Sequence, residues 1–171
     1  MFEKFGEFDS AEEINAVAMV KLIDGKKEEL FALANENGID MDDVNDYIAG
    51  CTTELVTPLM AAVGKLEVES GELKIGGILK DWVGIIMQQC TTDIEFAKAV
   101  RKKGKELKLC MAALIKFAFE NKVQVSEEIV KVTTVVHNGK EAPMRSPLYL
   151  GVPNTAETKR IVREYYLGGQ Q

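Results

Sequence analysis

The sequence predicts an all-α fold of about seven to eight helices, in which a small N-terminal three-helix module packs on a helical bundle. Apolar residues recur at three- and four-residue spacing along most of the 171-residue chain, as on the buried face of a helix. Capping residues or glycines bound most of these stretches. With 46% hydrophobic residues and four prolines, the chain can bury a core and form long helices. We predict an acidic module over residues 1–50 and a helical core domain over 51–171.

Three short helices are predicted in the N-terminal module. Ser10 and Glu13 form a capping box at the start of the first helix, which extends over about 11–23. The second helix is expected to end at Asn37-Gly38, a pair that readily adopts the left-handed conformation. Asp40 then caps a short third helix.

Longer helices are predicted in the core domain. Thr57-Pro58 combines a capping hydroxyl with a proline at the first helical position and starts the first of them. A broad apolar stripe predicts a second helix over about 77–90, Thr92 or Asp93 caps a third, and Asn154 or Thr155 caps the last. Residues 107–119 are apolar on most faces, which favours them as the central helix. The same apolar surplus fits a dimer interface equally well, so the oligomeric state stays open.

The segment before the last helix allows two interpretations. Ser126 and the acidic residues after it predict the start of a helix. β-Branched residues then precede Asn138-Gly139, which is a common hairpin turn. Residues 131–146 therefore form either a helix end or a β-hairpin, and 137–147 otherwise form a polar loop.

The composition of short segments predicts the cellular compartment and the state of the cysteine thiols. The first ten residues are charged and lack the apolar stretch of a signal peptide, and the longest apolar run is far shorter than the roughly 20 residues that span a bilayer. We therefore expect a cytoplasmic protein without a membrane segment. Cys51, Cys90 and Cys110 are isolated, so we expect reduced thiols that pack as small hydrophobes, with no metal site and no cofactor.

The pattern of potentially catalytic residues favours a protein that is not an enzyme. His137 is the only histidine and lies beside the Asn138-Gly139 turn, away from any serine or cysteine at a spacing typical of nucleophilic catalysis. Gly76-Gly77 lacks the preceding strand and the following Lys-Ser/Thr pair of a phosphate-binding loop. No spacing distinguishes one carboxylate pair from the many acids expected at the surface.

Charge is divided unevenly along the chain, whose net charge is −6. Residues 1–79 contain 17 acidic and 6 basic residues, whereas 80–171 contain 10 acidic and 15 basic residues. Such a division is typical of interaction proteins, although solvated helix faces that differ in charge explain it equally well.

An acidic strip occupies a segment with helix-turn-helix spacing. Residues 35–54 contain no lysine or arginine, so a helix here would be repelled by the phosphates of DNA. We predict instead either a solvated face or a surface that binds a basic groove of a partner. The acidic strip consists of Glu36, Asp40, Asp42, Asp43, Asp46 and Glu54.

A basic run is the second candidate surface. It lacks interleaved aromatic residues, which argues against a reader of single-stranded nucleic acid. Either it complements the dipole at the C-terminal end of a helix, or it forms a patch that binds nucleic acid or a partner. The basic run consists of Lys98, Arg101, Lys102, Lys103, Lys105 and Lys108.

Several segments together resemble the PcfK-like family of proteins from conjugative plasmids and other mobile elements of Gram-positive gut bacteria. They are Phe5-Gly6-Glu7 with Ser10-Ala11-Glu12-Glu13-Ile14-Asn15, Glu36-Asn37-Gly38-Ile39-Asp40, Met60-Ala61-Ala62, Asp81-Trp82-Val83, Lys103-Gly104-Lys105 with Leu107-Lys108, and Gly151-Val152-Pro153 with Tyr165-Tyr166-Leu167-Gly168.

The resemblance implies a function in the cytoplasm of a bacterial host cell. The PcfK-like family is linked to anti-CRISPR proteins that inhibit the RNA-guided nuclease Cas9. The implied partner is therefore Cas9 or its complex with guide RNA, and Cas9 holds its nucleic acids in positively charged channels. The alternative is an accessory protein of conjugative transfer that binds DNA or transfer-machinery proteins through its basic C-terminal half. The resemblance carries no functional residues over to this chain.

Overall fold

The computed structural model describes residues 3–168, and it is predominantly helical in this range. The helices are α1 (Ala11–Ile23), α2 (Lys27–Glu36), α3 (Met41–Ala49), α4 (Pro58–Glu72), α5 (Ile78–Thr92), α6 (Ile94–Arg101), α7 (Leu107–Glu120), α8 (Glu127–Val132) and α9 (Thr155–Leu167). The strands are β1 (Val123–Gln124), β2 (Thr134–His137), β3 (Lys140–Pro143) and β4 (Tyr149–Leu150). Within the described range there are thus nine helices rather than seven to eight, and the strands make the fold not purely all-α.

The predicted capping residues start the helices. The side chains of Asp40, Thr57, Asp93 and Asn154 each accept a hydrogen bond from a backbone N–H in the first turn of α3, α4, α6 and α9. The capping box predicted at Ser10 is only half formed. Ser10 accepts from the N–H of Glu13, but the Glu13 carboxylate accepts from Asp9 instead of returning to Ser10. A complete capping box occurs at Asn154.

The apolar interior consists of two clusters that meet at α4. The first lies among α1, α2, α3 and the segment before α4, and the second lies among α4, α5, α6, α7 and α9. Ala61 belongs to the first cluster, whereas Ala62 and Leu66 belong to the second. α4 contacts α1, α5, α6 and α7 and is therefore the central helix. The prediction that 107–119 is central was wrong, because α7 buries one face and leaves Leu109, Ile115 and Phe119 exposed.

The turn between α2 and α3 lies directly against the backbone of α4. Gly38 has a φ of 65°, so it satisfies the left-handed conformation expected at Asn37-Gly38. A Cβ atom added to Gly38 would lie 2.4 Å from the carbonyl oxygen of Gly64, and one added to Gly64 would lie 2.3 Å from that of Asn37. Both positions require glycine, and their contact fixes α3 relative to α4.

The two-stranded sheets settle the ambiguity in the C-terminal half. β2 and β3 form an antiparallel hairpin with Val135 opposite Ala142, so residues 131–146 contain the end of the short helix α8 followed by a β-hairpin. Asn138 and Gly139 have φ values of 51° and 72°, as in the turns whose twist matches a hairpin. The whole of β3 lies within residues 137–147, which were otherwise expected to form a polar loop. β1 pairs with β4 in a second antiparallel sheet.

Candidate functional site

Four aspartates of the acidic strip lie together on α3. Asp40 caps the helix, and its Oδ1 accepts a hydrogen bond of 2.9 Å from the N–H of Asp42. Asp42 and Asp43 occupy the first turn, where the helix dipole stabilises negative charge, while Asp46 lies beyond that turn. Asp40, Asp42 and Asp46 are exposed, and Asp43 is half-buried.

These aspartates act on one another electrostatically. Burial raises the pKa of Asp43 above its usual value, and the negative charges of Asp40, Asp46 and Asp42 raise this pKa further. Within residues 3–168, no lysine or arginine side chain forms an ion pair with any of the four carboxylates. The helix therefore presents concentrated negative charge that neighbouring residues do not neutralise.

Glu54 extends this charge onto the segment between α3 and α4. Its exposed side chain and Asp43 line the same depression of about 440 Å³, together with Cys51 and Met60. The fold thus brings Glu54 beside an aspartate eleven positions earlier in the chain. The acidic surface consists of Asp40, Asp42, Asp43, Asp46 and Glu54.

Glu36 has a different role from the one predicted for it. Its Oε1 accepts hydrogen bonds of 3.0 Å and 3.4 Å from the N–H groups of Lys4 and Phe5. It also lines a separate depression with Val68 of α4 and Glu72. Glu36 therefore anchors the N-terminal segment, and we do not include it in the acidic surface.

A second, larger depression lies next to the acidic surface. It has a volume of about 590 Å³ and lies between α1 and the segment from Gly50 to Glu54. Met19, Leu22 and Ile23 of α1 form its apolar wall. This depression, here called the apolar groove, was missed in the sequence. The available signal was that α1 carries apolar residues outside the stripe of Ile14 and Ala18 that it buries.

Arg101 of the basic run is not a surface residue. Its side chain is only 1% exposed, and Nη2 donates a hydrogen bond of 2.8 Å to Oδ1 of Asn37. Burial lowers the pKa of Arg101, because desolvation disfavours the charged form. The prediction that Arg101 contacts nucleic acid or a partner was therefore wrong, since α6 directs this residue into the interior.

Local contacts engage three of the remaining lysines of the basic run. Lys98 pairs with Glu95 at 2.8 Å, and Lys108 pairs with Glu106. Lys105 Nζ donates to the carbonyl oxygens of Tyr165, at 2.8 Å, and Gly168, at 3.2 Å. These contacts fasten the turn after α6 to the end of α9.

The backbone of the remaining lysines is also used structurally. The N–H of Lys103 donates to Asp9, and the carbonyl oxygen of Lys102 accepts from Lys65. Both side chains are exposed. The structure thus gives the basic run a role in joining the N-terminal segment, α4 and α9.

A cluster of buried charges lies under this junction. Lys65 of α4 is 1% exposed, and its Nζ lies 2.7 Å from Oε1 of Glu7 and 3.8 Å from Glu69. The Glu69 carboxylate accepts a hydrogen bond from the N–H of Leu107, and burial raises its pKa. With Arg101, these residues connect the N-terminal segment to α4, α6 and the start of α7.

The cysteines differ in exposure. Cys90 and Cys110 are buried, and burial raises the pKa of each thiol to about 12. All three cysteines are free, as predicted, but Cys51 is exposed, so the expectation that it packs in the interior was wrong.

In the described part of the chain, no three histidine, cysteine or acidic side chains come together as a metal ion would require. None of the helices described here combines the length and apolar character needed to cross a membrane.

Comparisons of the chain with protein-family models, with curated proteins and with solved structures gave no match.

Proposed function

We propose that this protein is a non-enzymatic inhibitor that uses the acidic surface to occupy a basic groove of a nucleic-acid-binding protein. The observation that supports this most directly is the mutual repulsion of Asp40, Asp42, Asp43 and Asp46 on one short helix, where no basic side chain of the described residues pairs with any of them. Burial and, after it, this repulsion raise the pKa of Asp43. A basic partner would relieve this repulsion. The free protein would thus be prepared for binding by charge complementarity.

The density of charge on α3 is close to that of a nucleic acid. Asp40 and Asp46 are six positions apart, which corresponds to about 9 Å of helix axis. Four carboxylates lie within this length. Double-stranded DNA carries one negative charge per about 1.7 Å. A groove that binds a phosphate backbone would therefore meet a comparable field on α3.

Cas9 is the partner we propose, on the basis of the PcfK-like resemblance. Cas9 holds its heteroduplex in a positively charged channel and recognises its short flanking motif with arginines. The acidic surface is chemically suited to either site. The protein would then act in the cytoplasm of a bacterial host cell and block DNA engagement or cleavage by guide-loaded Cas9.

A charge-reversal experiment tests this proposal. We expect the pure protein to capture guide-loaded Cas9 and to inhibit DNA cleavage. The variant Asp42→Lys, Asp43→Lys, Asp46→Lys should bind at least tenfold more weakly, which is about 1.4 kcal/mol of binding free energy. The matched control Glu67→Lys, Glu120→Lys, Glu128→Lys makes the same change in net charge at exposed positions elsewhere, and it should retain most of the affinity.

Two outcomes would contradict the proposal. Equal affinity of the two variants at low and high salt would remove the acidic surface as the interface. If the protein neither binds nor inhibits any tested Cas9 subtype, Cas9 is removed as the partner. A gel shift of free DNA, lost steeply as salt rises, would favour the alternative of a transfer accessory protein that binds DNA through its basic half.

A further inference from the structure

Helix α1 has apolar side chains on two different faces. Ala11, Ile14 and Ala18 are buried in the first cluster. Met19 and Ile23 lie on another face and are 58% and 72% exposed. Exposed apolar side chains also occur elsewhere on the surface, such as Leu109 and Ile115 of α7. What distinguishes Met19 and Ile23 is the groove that they line.

The apolar groove beside these residues is built on a fixed wall. Asn15 of α1 donates to the carbonyl oxygen of Val56 at 2.8 Å, and its Oδ1 accepts from the N–H groups of Leu55 and Val56, both at 3.0 Å. These three bonds hold the segment before α4 against α1. Buried Tyr47 of α3 lies in the groove as well. The groove is thus a formed feature of the fold.

Charge is concentrated at one end of the groove. Glu12 and Glu54 line it, and the hydrogen bonds between Asn15 and the two residues after Glu54 place both carboxylates along the N-terminal half of α1. Hydrogen bonds from its own backbone N–H and from Ser10 lower the pKa of Glu12, so its carboxylate is ionised at neutral pH. Lys98 also acts on Glu12, but Lys98 is itself paired with Glu95.

The opposite end of the groove is apolar and its flanking charges are balanced. Ile23 lies there, followed by Asp24 and Lys26, which pair at 3.4 Å. Lys21 pairs with Glu29 at 2.6 Å. The groove therefore has a negative end near Glu12 and a neutral, apolar end near Ile23.

We propose that the apolar groove binds an amphipathic helical segment of the partner protein, with lysine or arginine at the end near Glu12 and Glu54. The groove follows α1 from Glu12 to Ile23, which is about 16 Å and corresponds to about three helical turns. Apolar residues of the segment contact Met19, Ile23 and Tyr47, as an amphipathic helix does in a hydrophobic groove. This inference deepens the proposed function, because it assigns a second contact beside the acidic surface to the same partner.

Charge favours a foreign basic segment over a second copy of this chain. A symmetric dimer places the same surface on both sides of the interface. Glu12 and Glu54 of one copy would then meet either the same acidic residues or the neutral, apolar end of the other groove. Neither arrangement neutralises their charge, whereas a basic helix does.

The test uses a defined probe, a fluorescein-labelled 14-residue peptide of leucine and lysine with leucines on one helical face. A peptide with glutamate in place of every lysine is the charge control. Fluorescence anisotropy should detect binding of the lysine peptide and at least tenfold weaker binding of the glutamate peptide. The variant Met19→Gln, Ile23→Gln should also weaken lysine-peptide binding at least tenfold. Leu109→Gln, Ile115→Gln, an exposed apolar pair on α7, should leave it unchanged.

The outcomes separate this inference from the proposed function. The groove inference is overturned if the variants of α1 and α7 bind the lysine peptide equally well. It is also overturned if the wild-type protein does not bind the lysine peptide. If the charge-reversal variant loses Cas9 while Met19→Gln, Ile23→Gln binds Cas9 normally, the proposed function stands and the groove inference fails. If Cas9 does not bind but the peptide binds in a manner that depends on Met19 and Ile23, the groove stands and Cas9 is not the partner.

Discussion

Replacement of Gly64 in α4 tests how α3, which carries most of the acidic surface, is held in place. In an ordinary helix interior, replacement of glycine by alanine stabilises the fold by about 1 kcal/mol. At position 64, however, the backbone of the turn between α2 and α3 occupies the space that a Cβ would take. We expect Gly64→Ala to be destabilising, because the added methyl group forces this turn away from α4.

The magnitude follows from the distances. The Cβ would lie 2.3 Å from the carbonyl oxygen of Asn37 and 2.7 Å from that of Gly38. Since non-bonded carbon contacts are optimal at about 3.5 Å or more, the turn would have to retreat by roughly 1 Å. This movement also strains the hydrogen bond of 2.8 Å between Asn37 and Arg101. Overpacking of this kind costs about 1–3 kcal/mol, and a loss of about 2 kcal/mol would lower Tm by about 4–8 °C.

Urea and thermal unfolding followed by circular dichroism measure this effect. The matched control is Gly84→Ala in the middle of α5, where the added Cβ would meet nothing within 4 Å. The control should be more stable than the wild type by about 0.5–1 kcal/mol. If Gly64→Ala is stabilised as much as Gly84→Ala, the turn does not pack on α4 as described and the reasoning is refuted.

Two further predictions concern charge and thiol reactivity. Hydrogen bonds from the N–H of Phe96 and from Arg163 lower the pKa of Asp93. Ionised Asp93 therefore stabilises the fold above its unfolded pKa of about 3.9, and this stability is lost as the pH falls through the lower folded pKa. Asp93→Asn keeps the helix cap, so it should lower Tm at pH 7 but not at pH 2, and an equal deficit at both pH values would contradict this. A thiol-reactive dye should label only Cys51 in the native protein and three cysteines in denaturant, whereas rapid native labelling of two thiols would contradict the burial of the others.

The helix starts could be predicted from sequence because capping is local. Asp40, Thr57, Asp93 and Asn154 accept hydrogen bonds from N–H groups only two or three residues later. Nothing outside the first turn is needed to form such a bond. The prediction of a complete capping box at Ser10 was wrong in part, because the Glu13 carboxylate accepts a hydrogen bond from the N–H of Asp9 instead.

Arg101 shows where charge alone misleads. The buried residues of α6 include Phe96, Ala97 and Val100, and Arg101 follows Ala97 by one helical turn on the same face. Its place on the apolar stripe therefore indicated burial, while its charge and its lysine neighbours indicated solvent. The partner that satisfies it, Asn37, is 64 positions away, so the hydrogen bond cannot be inferred from local sequence.

The hairpin and the acidic surface could be predicted only in part from the sequence. Val135 and Val136 fit either a helix end or a strand, and the positive φ of Asn138 and Gly139 decides for the hairpin. The aspartates of α3 could be predicted as neighbours from helical spacing. The addition of Glu54 and the removal of Glu36 required the fold, because each is placed by contacts with other segments.

Charged side chains are paired at the buried junction but not on α3. The acidic surface should therefore respond to salt differently from the apolar groove. At the buried junction Lys65 lies between Glu7 and Glu69, so opposite charges are brought together. On α3 the carboxylates lie close without basic partners among the described residues. Because these aspartates are mostly exposed, salt screens them strongly, with a Debye length of about 3 Å at 1 M compared with about 10 Å at 0.1 M. The apolar side chains of the groove contribute affinity through burial, which salt does not screen. Binding that persists at 1 M salt therefore measures these apolar contacts, and the part lost between 0.1 M and 1 M measures the acidic surface together with Glu12 at the negative end of the groove.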